Sequence, residues 1–323
     1  MTPARRLVFT GPGEVAVEAF DPGAPGPGEV LVRTMVTALS AGTEGLLWRG
    51  LWPAEVALDP ILPEYRGPAT YPMAYGYAAV GRVEAVGPGT DPGWVGRLVF
   101  SFTGHRSAGV VGTGDLVPLP PDMSPEDGVF LAAMETALSL VQDAHPVAGE
   151  TLGVWGLGTV GILAAAVASG GPFPTFGKDV REDRRQWARR FGVEVRQGSE
   201  VCDVAIEASG HPSALAEVLA SLRYSGRVVL GSWYPDRGVE VPLGGAYHRS
   251  RIEILPSQVS AVAPGLSGRW TKARRLETAL GLVVRHQPSR LVSHRLDLEK
   301  APQAYRLACQ TPGAPGQVLF TYE

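Results

Sequence analysis

The chain has 323 residues, 45% of them hydrophobic, and 29 Lys and Arg against 32 Asp and Glu give a net charge of −3. That length exceeds a typical single core, and the near balance of charge excludes the basic footprint of a nucleic-acid or anionic-membrane binder. Only two cysteines are present, which excludes a disulfide framework and a Cys-rich zinc lobe. Cys202, just ahead of Val204-Ala205-Ile206, reads as a reduced core thiol.

Taken in chain order, the opening MTPARRLVFTGPGEVAVEAF lacks the apolar core of a signal peptide, and the longest small-apolar run, 162–168, is too short to span a bilayer. A cytoplasmic protein without a membrane partner is expected. Over 7–119 short alternating strands are broken by Gly and Pro: EVAVEAF, EVLVRTMVTAL, AAVGRVEAVG, GRLVFSF and GDLVPLP. Such punctuation predicts a partly closed β-barrel. Between these strands, residues 48–77 hold two tryptophans and four tyrosines amid prolines. They read either as a rigid wall for a large, partly apolar small molecule or as loop core or a dimer contact. After LPPDMSPEDGVFLAAMETALSLVQDA the period changes to strand 152–155, helix 159–169, strand 174–178, helix 182–191, strand 203–208, helix 212–222, and strands 226–231 and 252–255. This alternation predicts a doubly wound parallel sheet, an α/β class. The final QVLFTYE belongs to neither the last helix nor that sheet and is expected to complete the barrel. The predicted domains are 1–122 with 288–323, and 123–287.

Within the second domain, Leu152, Val154 and Trp155 lead as a strand into Gly156-Leu157-Gly158-Thr159-Val160-Gly161, and Ile162 to Ala168 lead out as a small-residue helix. In that context G-x-G-x-x-G has a mechanism. The first glycine permits the tight turn, the second lets backbone approach a pyrophosphate, and the third allows close packing of helix on strand. The competing reading is a turn that binds nothing. An acidic partner belongs about 20 residues on, where it meets the ribose hydroxyls. Asp179 stands there and predicts NAD in preference to NADP. Lys178, Arg181, Arg184 and Arg185 crowd the same loop, as a phosphate clamp or as a solvated helix face. Ser209-Gly210 and Gly231-Ser232-Trp233 end successive strands at their carboxyl edge and are expected to line the cofactor cleft.

AAVGRVEAVGPG with GRLVF, METAL, VWGLGTVG, DVAIEASG, SGRVVLGS and RLVSHRLDLEKAPQAYRL together resemble the medium-chain dehydrogenase/reductase superfamily. SAGTE and the aromatic-rich insertion resemble its 2-desacetyl-2-hydroxyethyl bacteriochlorophyllide dehydrogenase type. The resemblance implies a GroES-like catalytic domain joined to a Rossmann domain, with hydride transfer in the cleft between them. Zinc-dependent members carry a Cys where Ser40 or Ala41 stands, and Gly-His-Glu where this chain has Gly76-Tyr77-Ala78. No metal is therefore expected, the alternative being a rearranged site using His105 and Glu44.

The resemblance also implies roles. Thr43 matches the hydroxyl that begins the proton relay, and Glu44 the acid beside it, either functional or bonded to a neighbouring arginine. Tyr77 offers a phenol facing the substrate or simply packs on a barrel strand. His105 is a candidate general acid or a surface-loop histidine. Thr136 is expected to pack on the nicotinamide. Glu135 reads as a buried acid or as a first-turn carboxylate favoured by the helix dipole. Arg269, Arg274 and Arg275 either meet an acidic substrate group or are solvated. The implied activity is zinc-independent, NAD(H)-linked interconversion of a bulky secondary alcohol and a ketone. An enone or quinone reductase and a catalytically silent dinucleotide-binding sensor or structural subunit are the alternatives, and a homo-oligomer is compatible with each.

Overall fold

The computed structural model describes residues 3–59, 65–235, 238–310 and 316–322. The chain forms two compact units, one of residues 1–132 and 287–323 and one of residues 133–286.

In the first unit β1 (Ala4–Gly11) and β2 (Glu14–Phe20) form an antiparallel hairpin with Leu7 opposite Val17. The main sheet is built around β3 (Glu29–Ala38), whose alternating burial comes from Val30, Val32, Thr34 and Val36 pointing one way. Its other members are β4 (Ala79–Val86), β5 (Leu98–Ser101), β6 (Ala108–Gly112), β7 (Leu116–Pro118), β13 (Val292–Asp297) and β14 (Gln317–Thr321). The strand order is β13-β14-β3-β4-β5-β7, with β6 also on β3. β3 thus has three partners. It pairs β4 along most of its length, with irregularities at Leu31/Val32 and Thr34/Val36, and it exchanges β6 for β14 on its other side. A strand that changes partners across bulges must bend, which curls the sheet in the GroES-like manner. The C-terminal strand lies in this sheet. β6 and β13 do not stand out in the sequence: the first is AGVVG, glycine-bounded, and the second is an edge strand bonded only through β14.

In the second unit β8 (Leu152–Trp155), β9 (Thr175–Lys178), β10 (Cys202–Glu207), β11 (Leu222–Leu230) and β12 (Glu253–Pro256) form an all-parallel sheet in the order β12-β11-β10-β8-β9. Beyond β9, Val195 makes an isolated parallel bridge to Gly177. It stands where the third strand of the Rossmann order 3-2-1-4-5-6 belongs, reduced here to one bridge. The topological switch then falls between β8 and β10. Around the sheet run α3 (Leu131–Ala144), α4 (Thr159–Ala168), α5 (Glu182–Arg190), α6 (Ala214–Ala220) and α7 (Lys272–His286). α4, TVGILAAAVA, is apolar on every side because it is buried on nearly every side. Cys202 is fully buried and unpaired, and burial pushes its thiol up to about 12, so it is inert packing.

Two expectations for this unit are corrected. Glu135 is the fifth residue of α3, not a first-turn carboxylate, and it is buried against Arg275 of α7, which is 1% exposed. The guanidinium reaches Glu135 Oε1 through Nε at 3.1 Å and Nη2 at 2.9 Å, Ser139 Oγ at 3.3 Å, the Ala261 carbonyl at 2.7 Å and the Val259 carbonyl. Arg275 is therefore neither solvated nor free to meet a substrate. α6 is also shorter than its pattern, and β11 starts at Leu222 rather than 226.

Candidate active site

The glycine turn satisfies the demands of a dinucleotide. Gly156 has φ +94°, and a Cβ there would lie 2.4 Å from Ser209 N and Cα, so the ends of β8 and β10 meet only over a glycine. A Cβ on Gly161 would lie 1.8 Å from the Gly156 carbonyl oxygen, which fixes α4 against the turn. Gly158 differs: no atom lies within 4 Å of where its Cβ would be, and as N-cap of α4 it offers no side chain to the helix N–H groups. Open space over an uncapped helix N-terminus, flanked by half-buried Thr159 and Val160, is a cradle that fits a pyrophosphate. Gly156→Ala should destabilise the second unit by at least about 1–2 kcal/mol through the positive φ alone, with a comparable loss of NADH affinity. Urea unfolding and NADH fluorescence titration measure the two losses.

Asp179 follows β9, but its carboxylate is turned inward, with the side chain 4% exposed. Oδ2 accepts the Leu157 N–H at 2.7 Å and Oδ1 the Arg181 N–H at 2.8 Å, so this residue braces the turn. The basic groups around it have acceptors of their own. Arg181 pairs with Asp183, Arg185 with Glu182 and the Asp179 carbonyl, Lys178 with Glu217, and Arg184 lies 3.5 Å from Asp179.

At the end of β10 lies a residue the sequence reading passed over. Glu207 is fully buried and accepts the N–H of Ser209 at 2.7 Å, the Ser209 hydroxyl and the Tyr234 hydroxyl. Burial first, and then Glu207, push the Tyr234 phenol up. Gly231 N–H donates to the Glu207 carbonyl at 2.8 Å and Gly210 N–H to Ser232 Oγ at 2.9 Å, so Ser209, Gly231 and Ser232 share one strand edge. A carboxylate closing the apolar run DVAI was the signal available. Thr136 lies half-buried on α3.

In the first unit Thr43, Glu44, Tyr77 and His105 come together, though they are scattered over the chain. SAGTE folds as a relative of the capping box. Ser40 Oγ accepts the Thr43 N–H at 3.3 Å, and Glu44 Oε1 returns to accept the Ser40 N–H at 2.9 Å, which launches α1 (Thr43–Trp48). Glu44 is fully buried. Its partners are not arginine but His105 Nε2 at 3.0 Å and the Tyr305 hydroxyl, which donates to Oε2 at 2.5 Å. His105 is 2% exposed, not a surface-loop residue. With Nε2–H donating to Glu44, Nδ1 is free to accept from Thr37 Oγ1 at 2.6 Å, and Thr37 lies 2.9 Å from the Tyr322 hydroxyl. That tautomer satisfies every member of the chain. Burial first, and then the Glu44 charge, hold the Tyr305 phenol well above its usual range.

Tyr77 precedes β4, in a loop rather than on a strand. Its hydroxyl donates to Ser40 Oγ at 2.7 Å and lies 3.4 Å from Thr43 Oγ1. Burial raises the phenol, while the bonds to Ser40 and Thr43 oppose the rise. The neighbouring aromatic stretch is largely loop core: Trp48, Tyr65 and Tyr75 are 4%, 2% and 3% exposed, and the Tyr65 and Tyr75 rings lie 4.8 Å apart. Residues 60–64 of that stretch lie outside the described residues.

No family model matches the chain. It is similar to 2-desacetyl-2-hydroxyethyl bacteriochlorophyllide A dehydrogenase of Rhodobacter capsulatus, 25% identical with 97% of this chain and 96% of that one covered. L-threonine 3-dehydrogenase of Thermococcus kodakarensis is 28% identical over 65% of this chain and 70% of its own. A short chain alcohol dehydrogenase of Escherichia coli CFT073, solved with NADH, matches the fold with TM-score 0.79 at 17% identity, covering 100% of both chains. With that fold, the glycine turn and these relatives, the chain is an NAD(P)-dependent oxidoreductase similar to the medium-chain dehydrogenases.

Proposed function

We propose that the protein interconverts a bulky secondary alcohol and its ketone, with NAD(H) and without zinc. The observation that carries this reading is the hydroxyl cluster of Ser40, Thr43 and Tyr77, which occupies the loops where zinc-dependent members carry Cys and His. Hydroxyls and a phenol do not fit a zinc ion. The only imidazole in the cluster has both ring nitrogens engaged, by Glu44 and Thr37.

When bound, the nicotinamide supplies or accepts the hydride. This chain's residues supply the rest. The hydroxyl wall donates hydrogen bonds to the substrate oxygen, on which negative charge builds as the carbonyl is reduced. Glu44, itself held by His105, acts behind that wall by holding the Ser40 N–H. Asp179 keeps a carboxylate beside the ribose end of the turn, where a 2′-phosphate is repelled. A large substrate is supported by the full-length relative, which is named for a hydroxyethyl group on a bacteriochlorophyllide.

Turnover of aryl and alkyl ketones against enones, with NADH or NADPH, tests the reading. Ketone reduction with NADH is expected, and Thr43→Val and Tyr77→Phe should each lower kcat about tenfold or more, the equivalent of one hydrogen bond. Reduction of enones alone, or tighter binding of NADPH, overturns the reaction or the cofactor respectively. Stoichiometric zinc in the purified protein overturns the metal-free mechanism.

A further inference from the structure

Within the hydroxyl cluster the hydrogen bonds run in one direction. Ser40 Oγ accepts two of them, from the Thr43 N–H at 3.3 Å and from the Tyr77 hydroxyl at 2.7 Å. A serine hydroxyl has two lone pairs and one proton. Both lone pairs are occupied, and among the described residues no acceptor takes the proton. The Ser40 backbone is fixed as well: its N–H is held by Glu44 Oε1 at 2.9 Å, and its carbonyl accepts the N–H groups of Glu44 at 3.0 Å and Gly45 at 3.3 Å. Ser40 itself is half-buried, whereas Glu44 and His105 are closed off from solvent. Tyr77 has only one proton to give, and the shorter contact sends it to Ser40 rather than to Thr43.

We infer that Ser40 is the catalytic hydroxyl that hands its proton to the substrate oxygen, with Tyr77 as the donor behind it and Glu44 as the positioning residue. The assignment rests on the carbonyl-reducing reading above. A hydroxyl that accepts two hydrogen bonds is polarised into a stronger donor, and its remaining proton is the one left to point outward. In reduction the hydride adds to the carbonyl carbon and the C=O π pair moves onto oxygen. That oxygen takes the Ser40 proton, Ser40 Oγ takes the Tyr77 proton, and the resulting phenolate takes a proton from water. Alcohol oxidation runs the same transfers backward.

The test uses the full chain with NADH and 2-acetylnaphthalene. Ser40→Ala is expected to lower kcat about 10²–10³-fold, the loss that follows removal of a donor to a developing oxyanion, while NADH affinity stays at the wild-type value. Ser40→Thr should restore most of the rate. The solvent isotope effect on kcat in D2O, present in wild type, should vanish in Ser40→Ala. Tyr77→Phe leaves the helix cap intact and so probes the chain even if Ser40→Ala folds poorly; it should reduce both the rate and the isotope effect. An active wild type whose kcat is unmoved by Ser40→Ala overturns this assignment alone. A wild type inactive on every ketone overturns the carbonyl-reducing reading, and this assignment with it.

Discussion

Arg275→Ala is expected to cost the second unit about 3–5 kcal/mol, the range for breaking a buried ion pair from one side. The guanidinium is 1% exposed and Glu135 is 4% exposed, so neither partner can turn to water when the other is removed. Alanine would strand the Glu135 charge and also remove the donors that serve Ser139 Oγ and the carbonyls of Val259 and Ala261. Urea unfolding followed by circular dichroism gives the loss. The paired replacement Glu135→Leu with Arg275→Met should recover much of it, since removing both charges leaves no ion unpaired. A loss below about 1 kcal/mol, typical of an exposed pair, would show that the contact does not hold α3 to α7.

Glu44→Ala should be nearly as severe and should also abolish turnover. The carboxylate is fully buried and accepts from the Ser40 N–H, His105 Nε2 and the Tyr305 hydroxyl. Each buried donor left without an acceptor costs about 1–3 kcal/mol, and their shared network makes the sum less than additive. A total near 3 kcal/mol is expected from these magnitudes. Glu44→Gln keeps one acceptor oxygen but sets an amide N–H₂ against a donor, so its loss should be intermediate. Thermal unfolding together with ketone turnover separates the two consequences. Full activity in Glu44→Ala would remove Glu44 from the site.

What could be read in the sequence was local, and what could not was brought together over long distances. Gly156, Gly158 and Gly161 were legible because they solve a backbone problem within six residues: a Cβ has no room at Gly156 or Gly161, and the space over Gly158 is open. Asp179 was legible as a position, but its inward bonds to the Leu157 and Arg181 N–H groups depend on how β9 meets the turn. Thr43 and Glu44 were found through a motif. Their partners were not, because Tyr305 lies 261 residues from Glu44 and Tyr322 lies 285 residues from Thr37. In LEKAPQAYRLACQ a tyrosine looks like any core aromatic. Arg275 was misjudged for the same reason: beside Lys272 and Arg274 it resembles a solvated face, and only the pairing of helices 140 residues apart reveals the burial. Glu207 was the one miss with a local signal, a carboxylate ending an apolar strand.

Inserting β14 between β13 and β3 has a consequence for synthesis. Residues 133–286 are contiguous and can fold as soon as they emerge, whereas the first unit waits for residues 287–323. Until residues 287–322 are made, Glu44 lacks Tyr305, Thr37 lacks Tyr322, and the edge of β3 that takes β14 is open. The nascent protein therefore completes the unit that holds the glycine turn before the unit that holds the Glu44 network, and a translation product cut short after residue 286 would carry the first without the second.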